Sequence, residues 1–324
     1  MRYRRPLLAC LLVLLAGPCR ADDATATPSS HRGWGYLVDR LVHDGVPADR
    51  VRRVFDDPRM PPFAGLHFSA NPPREPASMY RRYLKPATVA AAQRCRASHA
   101  DVFEAAERAH GVPASLVAAI LYVESGCGHN AGSSPILPRL ARLAMANAPA
   151  NLADVLECQG PDADAERIRA RARYLEDTFY PEVRATFAVA DRLGVDPLEI
   201  RGSTGGAFGY PQFLPTSYLE HGIDADGDGT VSLDDMADAS ASCASYLVGH
   251  GWRAGLDKAG RRAVLWQYNH SPAYIDAVLT LASRIDGPHV VVPPGSAKTR
   301  HHRSRPAHAT VQAHRRPHRA RVPA

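Results

Sequence analysis

Residues 111–128 read GVPASLVAAILYVESGCG, and the fold turns on how this stretch is understood. Pro113 suits the first turn of a helix, because its φ is preset and its missing N–H is not needed there. Leu116, Ile120 and Val123, with Val112 just upstream, recur at helical spacing and form an apolar stripe on one face. Gly126 and Gly128 then break the helix. Glu124 lies beside the end of that stripe, in the last turn. Partial burial and the negative end of the helix both disfavour a charged carboxylate there, so both raise its pKa. A carboxyl that keeps its proton near neutral pH is what a general acid at a glycosidic oxygen needs. A glutamate on a last helical turn ordinarily faces solvent, so this reading rests on the rest of the chain.

Working outward, 324 residues with 45% hydrophobic content can bury one substantial core or two modest ones. Residues 34–55 predict two short helices, the second entered through Pro47. Residues 57–78 are proline-rich and predict an irregular connection, residues 87–110 an amphipathic helix, and residues 164–193 a long charged helix. No long alternating pattern argues for strands. The expected class is mainly α.

The two ends have a different composition. The start, MRYRRPLLACLLVLLAGPCRA, has a basic head, an apolar stretch from Pro6 to Ala16 and small residues before a cut after Ala21. This is the pattern of a secretory signal over residues 1–21, too short to span a bilayer comfortably, so export to the periplasm or cell envelope is expected. Pro18 directly before Cys19 argues against a lipid anchor on that cysteine. Residues 287–324 are rich in Pro, Arg and His, show no apolar period and are read as a disordered basic tail. That tail is a solvated extension or a salt-sensitive tether to an anionic surface; the export signal argues against nucleic acid. The start carries four Arg, and residues 289–324 carry one Lys and seven Arg with no acid, so residues 22–288 hold a net charge of −6. The basic pI belongs to the ends. Cys95, Cys127, Cys158 and Cys243 remain after the signal, compatible with two disulfides in any of three pairings.

Three further stretches carry chemistry. GSTGGAFGYPQFLPTSY, residues 202–218, interleaves glycines with Phe208, Tyr210, Phe213 and Tyr218. Glycines let a backbone approach a ligand, and aromatic rings offer faces on which sugars stack, although a tight connection with core aromatics has the same composition. DADGDGTVSLDD, residues 224–235, matches a calcium-loop template. Asp224, Asp226, Asp228 and Asp235 stand at positions 1, 3, 5 and 12, Gly229 at position 6, and Thr230 offers its backbone carbonyl. Ser232 with Asp235 also reads as a capping box for the helix that follows. The cap does not explain three neighbouring aspartates, which repel one another unless a cation lies among them. Finally, Tyr268 and Asn269 in WQYN end a short apolar helix, and Asn can both donate to and accept from a sugar. The chain contains no H-E-x-x-H, G-x-S-x-G or phosphate-loop motif.

Taken in order, GVPASLVAAILYVESGCG, GSTGGAFGYPQFLPTSY, the Asp loop, YLVGHGW and WQYN resemble the membrane-bound lytic murein transglycosylase B family, a branch of the lysozyme-like superfamily. The resemblance covers roughly residues 33–284 and includes MYRRYLKPATVAAAQ upstream. It implies a lysozyme-like catalytic domain over 111–286, a helical N-terminal region over 22–110 packed on it, and an EF-hand-like loop. It also implies an exported enzyme that cleaves the β-1,4 bond between N-acetylmuramic acid and N-acetylglucosamine in peptidoglycan glycan strands. No water is consumed, and the product is a 1,6-anhydromuramyl end. Glu124 would be the single catalytic carboxyl, acting first as acid and then as base. Ser203, Tyr210, Gln212, Tyr246, Tyr268 and Asn269 fall at the family's substrate-contacting positions. Asp224, Asp226, Asp228, Thr230 and Asp235 fall on its calcium loop, with Ca²⁺ in a structural role.

This chemistry fits the absence of any partner carboxylate for Glu124 in the sequence, since ordinary glycosidases need two. The chain departs from the family pattern at Ser125, Cys127 and Pro211. An insert at residues 148–169 blurs the matching of Arg171 and Arg173 to cleft arginines. Cys127 lies before that insert and Cys158 within it, and the two are expected to pair. A hydrolytic muramidase and a non-catalytic peptidoglycan-binding protein are the alternatives.

Overall fold

The computed structural model describes residues 30–160 and 163–288. The signal-like start and the tail from residue 289 onward lie outside them. The described residues all fall within one compact unit.

Its centre is the helix at the heart of the sequence reading. Six helices lead up to and include it: α1 (Gly35–His43), α2 (Ala48–Phe55), α3 (Ala77–Tyr80), α4 (Pro86–Ser98), α5 (Ala100–His110) and α6 (Ala114–Ser125). On α6 every residue from Ala114 to Leu121 is buried, so the helix is a core rod, where the sequence predicts a one-sided amphipath. Helices that pack on several sides bury residues all round. Here α4, α5, α11 (Met236–Gly249) and α13 (Pro272–Ile285) surround α6. Val117, Ile120 and Leu121 are wholly shielded from solvent, each contributing about 1.5–3 kcal/mol of stability.

The stretch predicted as one helix over 87–110 is two. His99 breaks it with φ −125° and ψ 38°, and α5 leaves in a new direction that brings Phe103 and Ala106 into the core against α6 and α11. Tertiary burial outweighs the local helical pattern.

A second group of helices follows: α7 (Ile136–Ala144), α8 (Pro149–Gln159), α9 (Ala165–Leu193), α10 (Pro215–His221) and α12 (Lys258–Tyr268). The long helix predicted at 164–193 is α9, capped by the Asp164 carboxylate, which accepts from the Arg167 N–H at 2.9 Å. Buried carboxylates tie α9 to its neighbours. Glu176 accepts from Tyr36 Oη at 2.6 Å, from an Arg40 guanidinium nitrogen at 2.5 Å and from Asn147 Nδ2 at 2.9 Å. Glu182 accepts from the Thr216 N–H at 2.9 Å and its hydroxyl at 2.7 Å, which fixes the start of α10.

Strand structure among the described residues is limited to a two-residue antiparallel pair, β1 (Ser134–Pro135) with β2 (Arg201–Gly202). Gly202 has to be glycine, because a Cβ there would stand 2.1 Å from the Ala207 carbonyl oxygen.

Cys95 on α4 and Cys127 form a disulfide with Cα atoms 6.4 Å apart. The expected Cys127–Cys158 pair is therefore wrong. Cys158 lies on α8, and the disulfide among the described residues joins Cys127 to Cys95 instead. An insert between two parts of the chain does not bring their cysteines together in space, whereas α4 packs directly on α6.

Candidate active site

Glu124 stands on the last turn of α6, as predicted, with Gly126 closing the helix in the left-handed conformation at φ 62°. It is partly exposed, while protein crowds its other sides. The Tyr274 hydroxyl on α13 donates to Glu124 Oε1 at 2.7 Å. Burial pushes the carboxyl up to about 8, the Tyr274 hydrogen bond opposes that rise, and the negative charge of Glu75 adds to it. At neutral pH the protonated form of this group is therefore favoured. Because Oε1 accepts from Tyr274, the other oxygen is the one left to carry the proton.

Glu75 escaped the sequence reading. It lies in the proline-rich connection before α3, where nothing in its neighbours marks it. Tyr80 Oη donates to Glu75 Oε2 at 2.6 Å, and the Tyr80 ring meets the Tyr274 ring edge-on at 5.8 Å. Glu75 Oε1 is shut off from solvent and has no hydrogen-bond partner. A second carboxylate thus bears electrostatically on Glu124.

Beneath Glu124 lies an aromatic floor. Tyr268 and Tyr274 are stacked at 6.3 Å with rings 9° from parallel, and Tyr246 meets Tyr268 edge-on at 5.1 Å. The Tyr268 hydroxyl donates to the Pro211 carbonyl at 2.5 Å, and the Tyr246 hydroxyl to the Gln267 carbonyl at 2.6 Å. Both side chains are buried, as is Asn269 at the end of α12. The sequence reads Tyr246 and Tyr268 as sugar contacts; in the fold both rings are buried. Burial holds the hydroxyls of Tyr268 and Tyr274 well above the ordinary tyrosine range, so they stay neutral hydrogen-bond donors.

The glycine-rich stretch arrives from the other side. Tyr210 is half-buried, and a Cβ on Gly128 would stand 2.6 Å from its ring, so the glycine after Cys127 makes room for an aromatic face. Gln212, held at φ 52°, donates from Nε2 to the carbonyls of Ala131 and Gly209, both at 2.8 Å. Ser203 closes a turn onto Ala207, whose N–H donates to the serine hydroxyl oxygen at 3.3 Å. Arg171 is half-buried against the Tyr174 ring at 5.0 Å, and Arg173 is exposed. A cavity of about 500 Å³ elsewhere, lined by Trp34, Phe63, Pro135, Pro138, Arg139 and Arg142 among others, includes none of the residues around Glu124.

The Asp loop folds onto itself. Asp224 accepts from the N–H groups of Gly227 at 2.8 Å and Gly229 at 2.9 Å, Asp226 from Asp228 at 3.1 Å, and Asp228 from Thr230 at 2.7 Å. Asp235 has a second role at the helix that follows. It caps α11, accepting from Ala237 at 2.7 Å and Asp238 at 3.3 Å, which is also the capping role expected of Ser232. The missed residue is Asp238, three positions beyond the template, which is buried and accepts from the N–H groups of Ala225 and Ser232, each at 2.7 Å. One oxygen each from Asp224, Asp226 and Asp238 lies within 4.8 Å of the other two. A hydrogen bond from the Asp228 N–H favours charge on Asp226, but desolvation and the carboxylates of Asp228, Asp238 and Asp235 win, so its pKa is raised. An all-oxygen set of crowded acids fits a hard cation such as Ca²⁺.

Residues 30–265, most of the chain, match a family described as Transglycosylase SLT domain. The chain belongs to the transglycosylase SLT domain family. Over 191 residues this SLT chain is 32% identical to membrane-bound lytic murein transglycosylase B of Escherichia coli, an alignment covering 58% of this chain and 46% of that relative. It therefore spans less than half the length of that protein. Among solved structures, the E. coli lytic transglycosylase SLT35 in complex with calcium is similar with a TM-score of 0.59 and 21% identity, covering 80% of this chain and 94% of that one. SltB3 from Pseudomonas aeruginosa in complex with NAG-anhNAM-pentapeptide is similar with a TM-score of 0.56 and 21% identity, covering 80% of each. These likenesses bear out the mainly helical, lysozyme-like fold expected from the sequence. Among the described residues no helix is long and apolar enough to cross a membrane.

Proposed function

We propose that the chain is an exported lytic transglycosylase that cleaves the β-1,4 bond between N-acetylmuramic acid and N-acetylglucosamine in peptidoglycan without consuming water. The observation that carries this reading is the Glu124 carboxyl, pushed up to about 8 by burial and oriented by Tyr274. The protonated oxygen gives its proton to the glycosidic oxygen as the bond to the muramyl C1 breaks, and the resulting carboxylate then takes the proton of the muramyl 6-hydroxyl as that oxygen bonds to C1. The substrate's own acetamido group assists at C1, so no protein nucleophile is required. The Tyr274 donor steadies the carboxylate formed midway, and the buried tyrosines keep water out from below.

Tyr210, Ser203, Gln212 and Asn269 are proposed to form the glycan-facing surface, Tyr210 supplying a ring face and the others polar atoms. Membership of the family supports the substrate class, as do the relatives named for murein and for NAG-anhNAM-pentapeptide. Asp224, Asp226 and Asp238, with Asp228 and the Thr230 carbonyl beside them, would hold Ca²⁺, as the calcium complex of SLT35 supports. When bound, the ion neutralises the clustered acids and ties the loop to the start of α11. The start of the chain and its basic tail support export and an anionic surface as partner, but both lie outside the described residues.

Glu75 gives a specific ground for a second reading, a hydrolytic muramidase, since a second carboxylate near the acid could activate water. Mass spectrometry of digested sacculi separates the two by one water. Anhydromuramyl ends are expected, and reducing muramic acid ends would overturn the transglycosylase reading. Glu124→Gln should lower turnover at least ~100-fold.

A further inference from the structure

Away from Glu124, three side chains that bind metals meet where the proline-rich connection crosses α8. His67 comes from the connection, and Asp154 and Cys158 stand four residues apart on α8, so they share a face. His67 Nε2 lies 3.3 Å from Asp154 Oδ2, and Cys158 Sγ lies 4.0 Å from Asp154 Oδ1. One ligand atom from each lies within 4.8 Å of the other two. We propose that His67, Asp154 and Cys158 form a binding site for one Zn²⁺-like cation, distinct from the Asp loop, that fastens the connection to α8.

The spacing is what a tetrahedral ion needs. Bonds of about 2.0–2.2 Å to nitrogen and oxygen and about 2.3 Å to sulfur place neighbouring ligands about 3.3 Å apart for N and O, and about 3.6 Å for O and S. The His67–Asp154 separation matches at Oδ2, while Cys158 Sγ lies 4.0 Å from the other oxygen, Oδ1, so a small turn of the carboxylate is needed to offer one oxygen to the ion. The donor types select the metal, because an imidazole, a carboxylate and a thiolate together suit Zn²⁺ and not Ca²⁺ or Mg²⁺. All three groups are partly exposed, so an ion can enter and water can complete the fourth position.

The backbone on both sides of His67 is held to the same helix. The Leu66 N–H donates to Asn151 Oδ1 at 2.7 Å, Asn151 Nδ2 donates to the Leu66 carbonyl at 3.3 Å, and Gln159 Nε2 donates to the Phe68 carbonyl at 3.4 Å. Leu66 and Phe68 point into the core, which turns the intervening His67 toward α8. Two of the three ligands thus come preset on a helix, and the third is clamped opposite them, so little ordering entropy opposes binding. Binding releases the Cys158 thiol proton to solvent as the sulfur–metal bond forms, and affinity rises with pH accordingly.

The test is titration of the full, disulfide-intact protein with Co²⁺, followed by Zn²⁺. Co²⁺ is expected to give a near-ultraviolet thiolate-to-metal charge-transfer band that saturates at one equivalent and is displaced by Zn²⁺. The Asp loop has no sulfur and cannot produce that band. Cys158→Ser should remove it, and His67→Ala should weaken Co²⁺ binding at least ~100-fold. Zn²⁺ should raise Tm in the parent protein and not in Cys158→Ser. The proposal is overturned by a parent protein without the band, by a band that survives Cys158→Ser, or by an equal Zn²⁺-dependent rise in Tm in parent and variant.

Discussion

Replacing Glu124 by Gln tests the acid and its environment together, because the two consequences pull in opposite directions. In the folded chain the carboxyl has its pKa pushed from 4.5 up to about 8. Between those values the folded state holds a proton that the unfolded chain releases. The protonated group's contribution to stability is therefore full below pH 4.5 and is lost as pH rises through 8. Integrating the linkage, keeping Glu124 instead of a neutral residue costs about 3 kcal/mol at pH 7 and less than about 1 kcal/mol at pH 5. Gln is neutral, nearly isosteric and can still accept from Tyr274. Glu124→Gln should accordingly be more stable than the parent at pH 7 by about 3 kcal/mol, with a Tm roughly 6–12 °C higher for a folded unit of this size, and almost equal to it at pH 5. Urea denaturation followed by circular dichroism between pH 5 and 9 measures the difference, and sacculus digestion should show the activity gone. A stability difference independent of pH would refute the claim that the acid is held protonated, whatever the activity did.

Glu75→Gln removes a like charge and should shift the alkaline limb of the pH–rate profile to lower pH; an unmoved limb means the two carboxylates do not communicate. A chelator should lower Tm if the Asp loop is filled, since an ion at a hundred times its Kd stabilises by about 2.7 kcal/mol. That effect should vanish in Asp238→Asn but persist in Asp235→Asn, whose loss is only that of a helix cap, about 1 kcal/mol. Cleaving the Cys95–Cys127 disulfide, which closes 32 residues of chain, should cost roughly 3–4 kcal/mol in the loop-entropy account. The loss would be read as a fall in the urea midpoint on adding reductant, and a midpoint that does not move would count against the bond.

What could be read from the sequence depended on whether the governing interaction was local. Glu124 on a closing helical turn, the two short helices at 34–55, the extent of α9 and the acids at the start of the Asp loop all follow from residues within one or two turns of each other. Asp238 was missed because a template that counts to position 12 stops short of a carboxylate that a longer loop brings back. Asp235 answers a second, local demand. Two orphan N–H groups at the start of α11 compete for the same oxygen, and the cap claims it. The helix break at His99, the Cys95 partner of Cys127 and the Glu75 carboxylate are set by packing between separate elements, where spacing in sequence carries no signal. Tyr246 and Tyr268 show the limit on the functional side. Their positions match a family pattern, yet whether such a ring meets a sugar or supports the residue that does is decided by which way its hydroxyl turns. Here both hydroxyls are spent on backbone carbonyls. Substituting Phe at either position should therefore disturb the geometry around Glu124, and so kcat, more than glycan affinity.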